Sequence, residues 1–256
     1  MSLNCLFSLH REVAIVTGGS QGLGFGMAKA LADAGAIIVI VNRKESEGKI
    51  AEKKIKDSGG ECIAIPADVS NKTDVERVVK ETLDQYCAID ILVNCAGINI
   101  RKPALQFEEE EWDKIININL KGTFLFCQEV GRVMVSRKKG KIINVASTGA
   151  LIALELRGPY CAAKGGISQL TKVLALEWAP FNINVNAIAP GPMLTPLTRQ
   201  LLKEGTEQYK KHLNKVPLGR FGIPEDLSGI VVLLASSASD YITGQTIFVD
   251  GGYTIW

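Results

Sequence analysis

Short, almost wholly apolar runs recur along the chain, and between them lie longer stretches whose apolar residues return every three or four positions. The runs at 12–17, 36–41, 62–65, 89–93, 141–146, 183–188 and 245–250 are rich in Val and Ile and read as strands buried on both faces. The stretches at 25–34, 45–58, 72–86, 108–137 and 160–178 read as helices, and a further helix opens at Pro224. Strand and helix alternate throughout. That order predicts an α/β fold, a Rossmann-type doubly wound seven-stranded parallel sheet with helices on both faces. No linker, repeat or low-complexity segment interrupts it, so residues 1–256 are expected to form a single domain. The more polar stretch 194–215 lacks a strand and reads as a helical lid over the pocket.

Charge and cysteine usage narrow the function. The 29 basic and 27 acidic residues are interspersed, giving a formal charge of +2 with no basic stripe for nucleic acid or an anionic membrane. Cys5, Cys62, Cys87, Cys95, Cys127 and Cys161 form no Cys-x-x-Cys pair, and the chain has only two histidines, so no metal is expected. No apolar run approaches the ~18 residues of a membrane span and no leader is recognisable, so a cytoplasmic protein is expected.

Candidate chemistry lies where the predicted strands end. Gly18, Ser20, Gln21, Gly22, Leu23 and Gly24 follow the first strand and open a helix, a spacing that lets backbone approach a pyrophosphate at a helix N-terminus. An acidic residue roughly 20 positions further on would grip the ribose of NAD. Asn42 stands there, followed by Arg43, whose guanidinium suits a 2′-phosphate, so NADP(H) is favoured with NAD(H) as the alternative. Asp68, with Val69 beside it, accepts from an adenine amino group or caps the next helix. Asn94, Ala96 and Gly97 end the fourth strand with small residues that admit a cofactor, and Arg101 beyond them is either a carboxylate ligand or a surface cation. Asn119 falls among aliphatic residues in the long helix and needs buried partners.

Tyr160 and Lys164 share a helix face one turn apart, so a phenol and an ammonium occupy one site. A neighbouring cation favours the phenolate, which makes the tyrosine a general acid or base. Ser147, at the C-terminal end of the fifth predicted strand, is placed to hold a carbonyl oxygen while Tyr160 protonates it. Pro190, Gly191 and Thr195 form a loop that would lie over a nicotinamide.

Taken in order, Thr17-Gly18-x-x-x-Gly22-x-Gly24, Asp68, Asn94-x-Ala96-Gly97, Asn119, Ser147, Tyr160-x-x-x-Lys164 and Pro190-Gly191 with Thr195 resemble the classical short-chain dehydrogenase/reductase family over nearly the whole chain. Cys95 departs from that pattern, since many members carry a second asparagine there. The resemblance implies reversible hydride transfer. Asn119, Ser147, Tyr160 and Lys164 would be the catalytic set, with Lys164 also binding the nicotinamide ribose and Asn119 holding a water that links Lys164 to solvent. Stretches 97–103, 183–191 and 238–252 are similar to the sugar-acid dehydrogenases acting on gluconate at C5 or 2-deoxygluconate at C3. Arg101 would then suit the substrate carboxylate, with Ser147 and Tyr160 on the reacting oxygen. The runner-up readings are a 3-oxoacyl-carrier-protein or general carbonyl reductase and, from another class, a nucleotide-binding sensor or scaffold without turnover. The apolar tail 253–256 suits a subunit contact, and a homotetramer is expected.

Overall fold

The computed structural model describes residues 2–196, 198 and 205–255. Seven strands form one parallel sheet in the order β3-β2-β1-β4-β5-β6-β7. They are β1 (Val13–Thr17), β2 (Ile37–Asn42), β3 (Cys62–Pro66), β4 (Ile91–Asn94), β5 (Gly140–Val145), β6 (Ile183–Pro190) and β7 (Thr246–Val249). The helices are α1 (Leu3–Phe7), α2 (Gly22–Asp33), α3 (Glu45–Asp57), α4 (Lys72–Tyr86), α5 (Glu109–Ile116), α6 (Gly122–Arg137), α7 (Gly158–Trp178), α8 (Glu207–Leu213) and α9 (Ser228–Ala235).

Alternation of side chains along the central strands divides the core. Ala14, Val16, Ile38 and Ile40 face α2, α3 and α9 in one apolar layer. Val13, Ile15, Val39 and Val41 face α4, α6 and α7 in the other. Both faces are therefore covered, which is why the strands read as continuous apolar runs rather than as alternating ones. The order reverses between β1 and β4, and a crevice opens at the strands' C-terminal ends at that point.

Three expectations change in detail. The helix expected from residue 25 is α2 and begins at Gly22, so the last glycines of the loop belong to its opening turn. The single helix expected over 108–137 is two helices, α5 and α6, joined by a π-helical segment at Asn117–Lys121. The cause is Asn119, whose Nδ2 donates to the Ile115 carbonyl at 2.9 Å, while the Thr123 hydroxyl donates to the Asn119 carbonyl at 2.8 Å. Pro224 starts a 3₁₀ turn, Pro224–Leu227, and the α-helix proper follows it. Within the expected lid, α8 supplies the helix, Leu197 and 199–204 lie outside the described residues, and so does Trp256 of the tail. No helix among the described residues is long and apolar enough to cross a membrane.

Candidate active site

A cleft of about 1280 Å³ runs along the C-terminal ends of the strands, from Arg43 at one lip to the loop around Arg157 and to α8 at the other. Its floor is the glycine loop. Gly18 has φ +66°, and a Cβ there would sit 2.9 Å from the Ala96 Cα. A Cβ on Gly24 would come within 2.2 Å of the Gly18 carbonyl oxygen, so the tight turn into α2 excludes every side chain. Gln21 caps α2 in extended conformation without a side-chain hydrogen bond, which leaves the first amides of this helix without a side-chain cap where the cleft passes. An uncapped N-terminus behind a glycine cradle fits the pyrophosphate of a dinucleotide.

The adenosine end holds a mixed set. Asn42 is buried, donates from Nδ2 to the Lys44 carbonyl at 2.6 Å, and leaves its Oδ1 without a partner. Arg43 projects exposed at the lip. Asp68 does not cap α4, because Asn71 does so through the Thr73 and Asp74 amides at 3.0 and 3.4 Å. One Asp68 oxygen instead accepts from the Ser70 amide and hydroxyl at 2.9 and 2.6 Å, which holds the carboxylate at the cleft wall beside Val69. Ser20, Leu23, Ala96, Gly97, Pro190, Gly191 and Thr195 line the cleft as expected.

Asn94 does not. Its side chain is buried behind the wall, donating to the Asn144 amide oxygen at 3.0 Å, and Asn144 in turn donates to Thr171 at 3.0 Å. The side chain ties β4 to β5 and α7 and does not line the cleft, because the strand's alternation turns it inward. Beside it the chain manages with Cys95, whose amide and that of Ala96 both donate to the Thr17 hydroxyl at 3.1 and 3.2 Å.

At the far end Ser147, Tyr160, Lys164 and Asn119 converge, although they come from β5's end, α7 and the π segment. Lys164 is buried and donates to the Val145 carbonyl at 2.6 Å. Its Nζ lies 5.7 Å from the centre of the Tyr160 ring. Asn119 is fully buried, with Nδ2 donating to the Ile98 carbonyl at 3.0 Å and Oδ1 accepting from the Ile98 amide at 3.1 Å. It thereby clips the loop after β4 against the helix. Gly97 is required there, since a Cβ would stand 2.4 Å from that Oδ1.

Electrostatics at this end differ from the expectation that Lys164 acidifies the tyrosine. Burial pushes the Tyr160 phenol up, against opposing pulls from a hydrogen bond with Ser147 and from the Arg157 guanidinium. Burial also pulls the Lys164 ammonium down to about 8. Both groups sit out of water, so each disfavours its charged form, and the cation acting on the phenol is Arg157. That arginine was missed in the sequence. Its one available signal was its place three residues before Tyr160, on the same helix face by spacing.

A glycine-cradled helix N-terminus, an adjoining Ser-Tyr-Lys cluster and a cleft between them can hold a dinucleotide against a small molecule. The comparisons with known proteins agree. Residues 18–254 match the family described as enoyl-(acyl carrier protein) reductase. The chain belongs to the short-chain dehydrogenase/reductase family. It is therefore an oxidoreductase of the NAD(P)-using class acting on CH–OH groups. A 2-dehydro-3-deoxy-D-gluconate 5-dehydrogenase of Dickeya dadantii is 43% identical, covering 96% of this chain and 97% of that one. An NAD-dependent glycerol dehydrogenase of Listeria innocua is 41% identical, covering 97% and 96%. A gluconate 5-dehydrogenase of Burkholderia cenocepacia, solved in complex with NADP and tartrate, superposes with a TM-score of 0.95 at 37% identity over 100% of both chains.

Proposed function

We propose that this oxidoreductase is NADP(H)-dependent and interconverts a secondary alcohol and a ketone on a sugar acid, in the manner of a gluconate 5-dehydrogenase. The observation that carries it is the placing of Arg101 in the same end of the cleft as Ser147, Tyr160 and Lys164. A cation half-buried there, whose Nε has no partner among the described residues, suits a carboxylate on the molecule being oxidised or reduced. Exposed Arg43 beside neutral Asn42 favours the 2′-phosphate of NADP, and the Burkholderia relative was solved with NADP bound.

The dinucleotide supplies the hydride. Everything else falls to the chain's own residues. The glycine loop and the α2 amides receive the pyrophosphate, Arg43 the 2′-phosphate and Lys164 the nicotinamide ribose. Ser147 donates to the substrate oxygen and Tyr160 gives it a proton as the ketone becomes an alcohol, or takes one in reverse. Losing such a donor to a developing alkoxide costs of order 100-fold in rate. Asn119 holds the Ile98 loop so that Gly97 stays against the cofactor face. From α8, Glu207, Lys210 and Lys211 line the cleft and would border the substrate.

The protein is read as a cytoplasmic homotetramer. Trp112, Phe124, Val173 and Leu176 are exposed on the neighbouring helices α5, α6 and α7 and suit a subunit contact. A second reading, an uncharged polyol as substrate, draws on the Listeria relative's name. The deciding experiment follows absorbance at 340 nm with NADPH and NADH against 5-ketogluconate, dihydroxyacetone and an acetoacetyl thioester. The sugar acid with NADPH is expected to show the highest kcat/KM, by about tenfold or more for each choice. A preference for the thioester or the triose, or no turnover, overturns the reading.

A further inference from the structure

Arg101 has a second guanidinium beside it. The Lys102 amide donates to the Leu156 carbonyl at 3.0 Å, clipping the loop after β4 to the loop before α7 and bringing the neighbouring residues Arg101 and Arg157 onto one wall. Leu156 accepts this position in the left-handed region, φ +64°, a conformation that costs a residue with a side chain roughly 1 kcal/mol or more. Each arginine buries an Nε that no described residue accepts from.

Two cations on one wall repel each other. Arg157 is the N-cap of the 21-residue α7, where the helix dipole opposes a cation; burial first, and then the Arg157 charge, pulls the Arg101 guanidinium down from its ordinary range. Nearby Lys102 is neutralised by Glu111 at 2.6 Å. Among the described residues no carboxylate ion-pairs with Arg101 or Arg157, Glu155 on the same wall included. The protein thus compensates the cation that points away and leaves two that line the cleft.

We infer that Arg101 and Arg157 form a two-guanidinium clamp for one substrate carboxylate, and that Arg157 is a specificity-determining residue for anionic over neutral substrates. The inference rests on the sugar-acid reading for the substrate's identity, but the clamp itself requires only a carboxylate. With each Nε buried, the terminal Nη groups are what the half-buried guanidinium groups offer to the cleft, and a carboxylate there gains a charge-assisted bond from each. With its charge engaged by the carboxylate, Arg157 pulls less on Tyr160, so carboxylate binding and the tyrosine's proton affinity are linked.

The test uses malonate as a carboxylate probe, titrated calorimetrically into the NADP-saturated enzyme and into Arg157→Gln and Arg157→Lys. The clamp predicts a Kd weakened about 10- to 100-fold in Arg157→Gln and partly restored in Arg157→Lys. Without anion, Arg157→Gln should unfold at a higher temperature than the wild type, since two repulsions are removed. It should also gain less than the wild type from added malonate. A malonate Kd within twofold of the wild type in Arg157→Gln overturns the clamp. Failure of 5-ketogluconate to turn over, with the malonate difference intact, sinks the sugar-acid reading and leaves the clamp standing.

Discussion

Lys164 carries a cost that can be measured apart from catalysis. Burial lowers its folded pKa from 10.5 to about 8, which at ~1.36 kcal/mol per pH unit disfavours the charged form by about 3 kcal/mol. Because the folded pKa lies below the unfolded one, folding releases protons between those values, and stability from this site rises as pH rises from 8 to 10.5. The wild type should therefore gain about 3 kcal/mol relative to Lys164→Met across that window in denaturant titrations. A difference that stays flat with pH would refute a depressed lysine. The residue scale also explains why Tyr160 is not acidified by sequence neighbours alone. Being four positions from Lys164 brings the groups to 5.7 Å, but the same packing strips both of water.

At the scale of elements, the joint between α5 and α6 does the positioning. Asn119 breaks the helical ladder and spends its side chain on Ile115 and both polar groups of Ile98, so the start of the loop, at Gly97 and Ile98, is held to the helix by this one amide. Asn119→Ala would leave buried backbone groups unsatisfied and should cost about 3 kcal/mol. Amide exchange at Ile98 should quicken at the same time, as read by mass spectrometry. Unchanged protection there would mean that the loop is held by something else. The π segment itself was not legible in the sequence, because the apolar spacing continues through it. Only the odd polar residue among aliphatics marked the place.

The whole molecule places its chemistry by topology. The reversal of strand order between β1 and β4 opens the crevice, and the glycine loop, Ser147, Tyr160 and Lys164 reach it from the end of a strand or the segment that follows one, with Asn119 alongside from the π segment. The apolar residues exposed on α5, α6 and α7 are the counterpart on the outside. If they mediate the proposed assembly, light scattering should give four times the chain mass of 27.6 kDa, and Leu176→Glu, at 80% exposure, should shift it downward. A monomeric wild type would refute the tetramer.

The sequence by itself determined the layers and most of the cleft. Runs buried on both faces, glycines at the first turn and small residues at strand ends are local demands, so their residues announce the elements they build. The cluster of Ser147, Tyr160 and Lys164 was readable for the same reason, two of its members being one helical turn apart. What only the tertiary structure decided is where separate segments meet. Asn94 turned inward to Asn144 across fifty residues, Asn119 reached back to Ile98, and Arg157 came to stand beside Arg101 through a single backbone bond between two loops. Contacts between distant segments depend on packing and register, which no local pattern records, and they set the charge around the tyrosine.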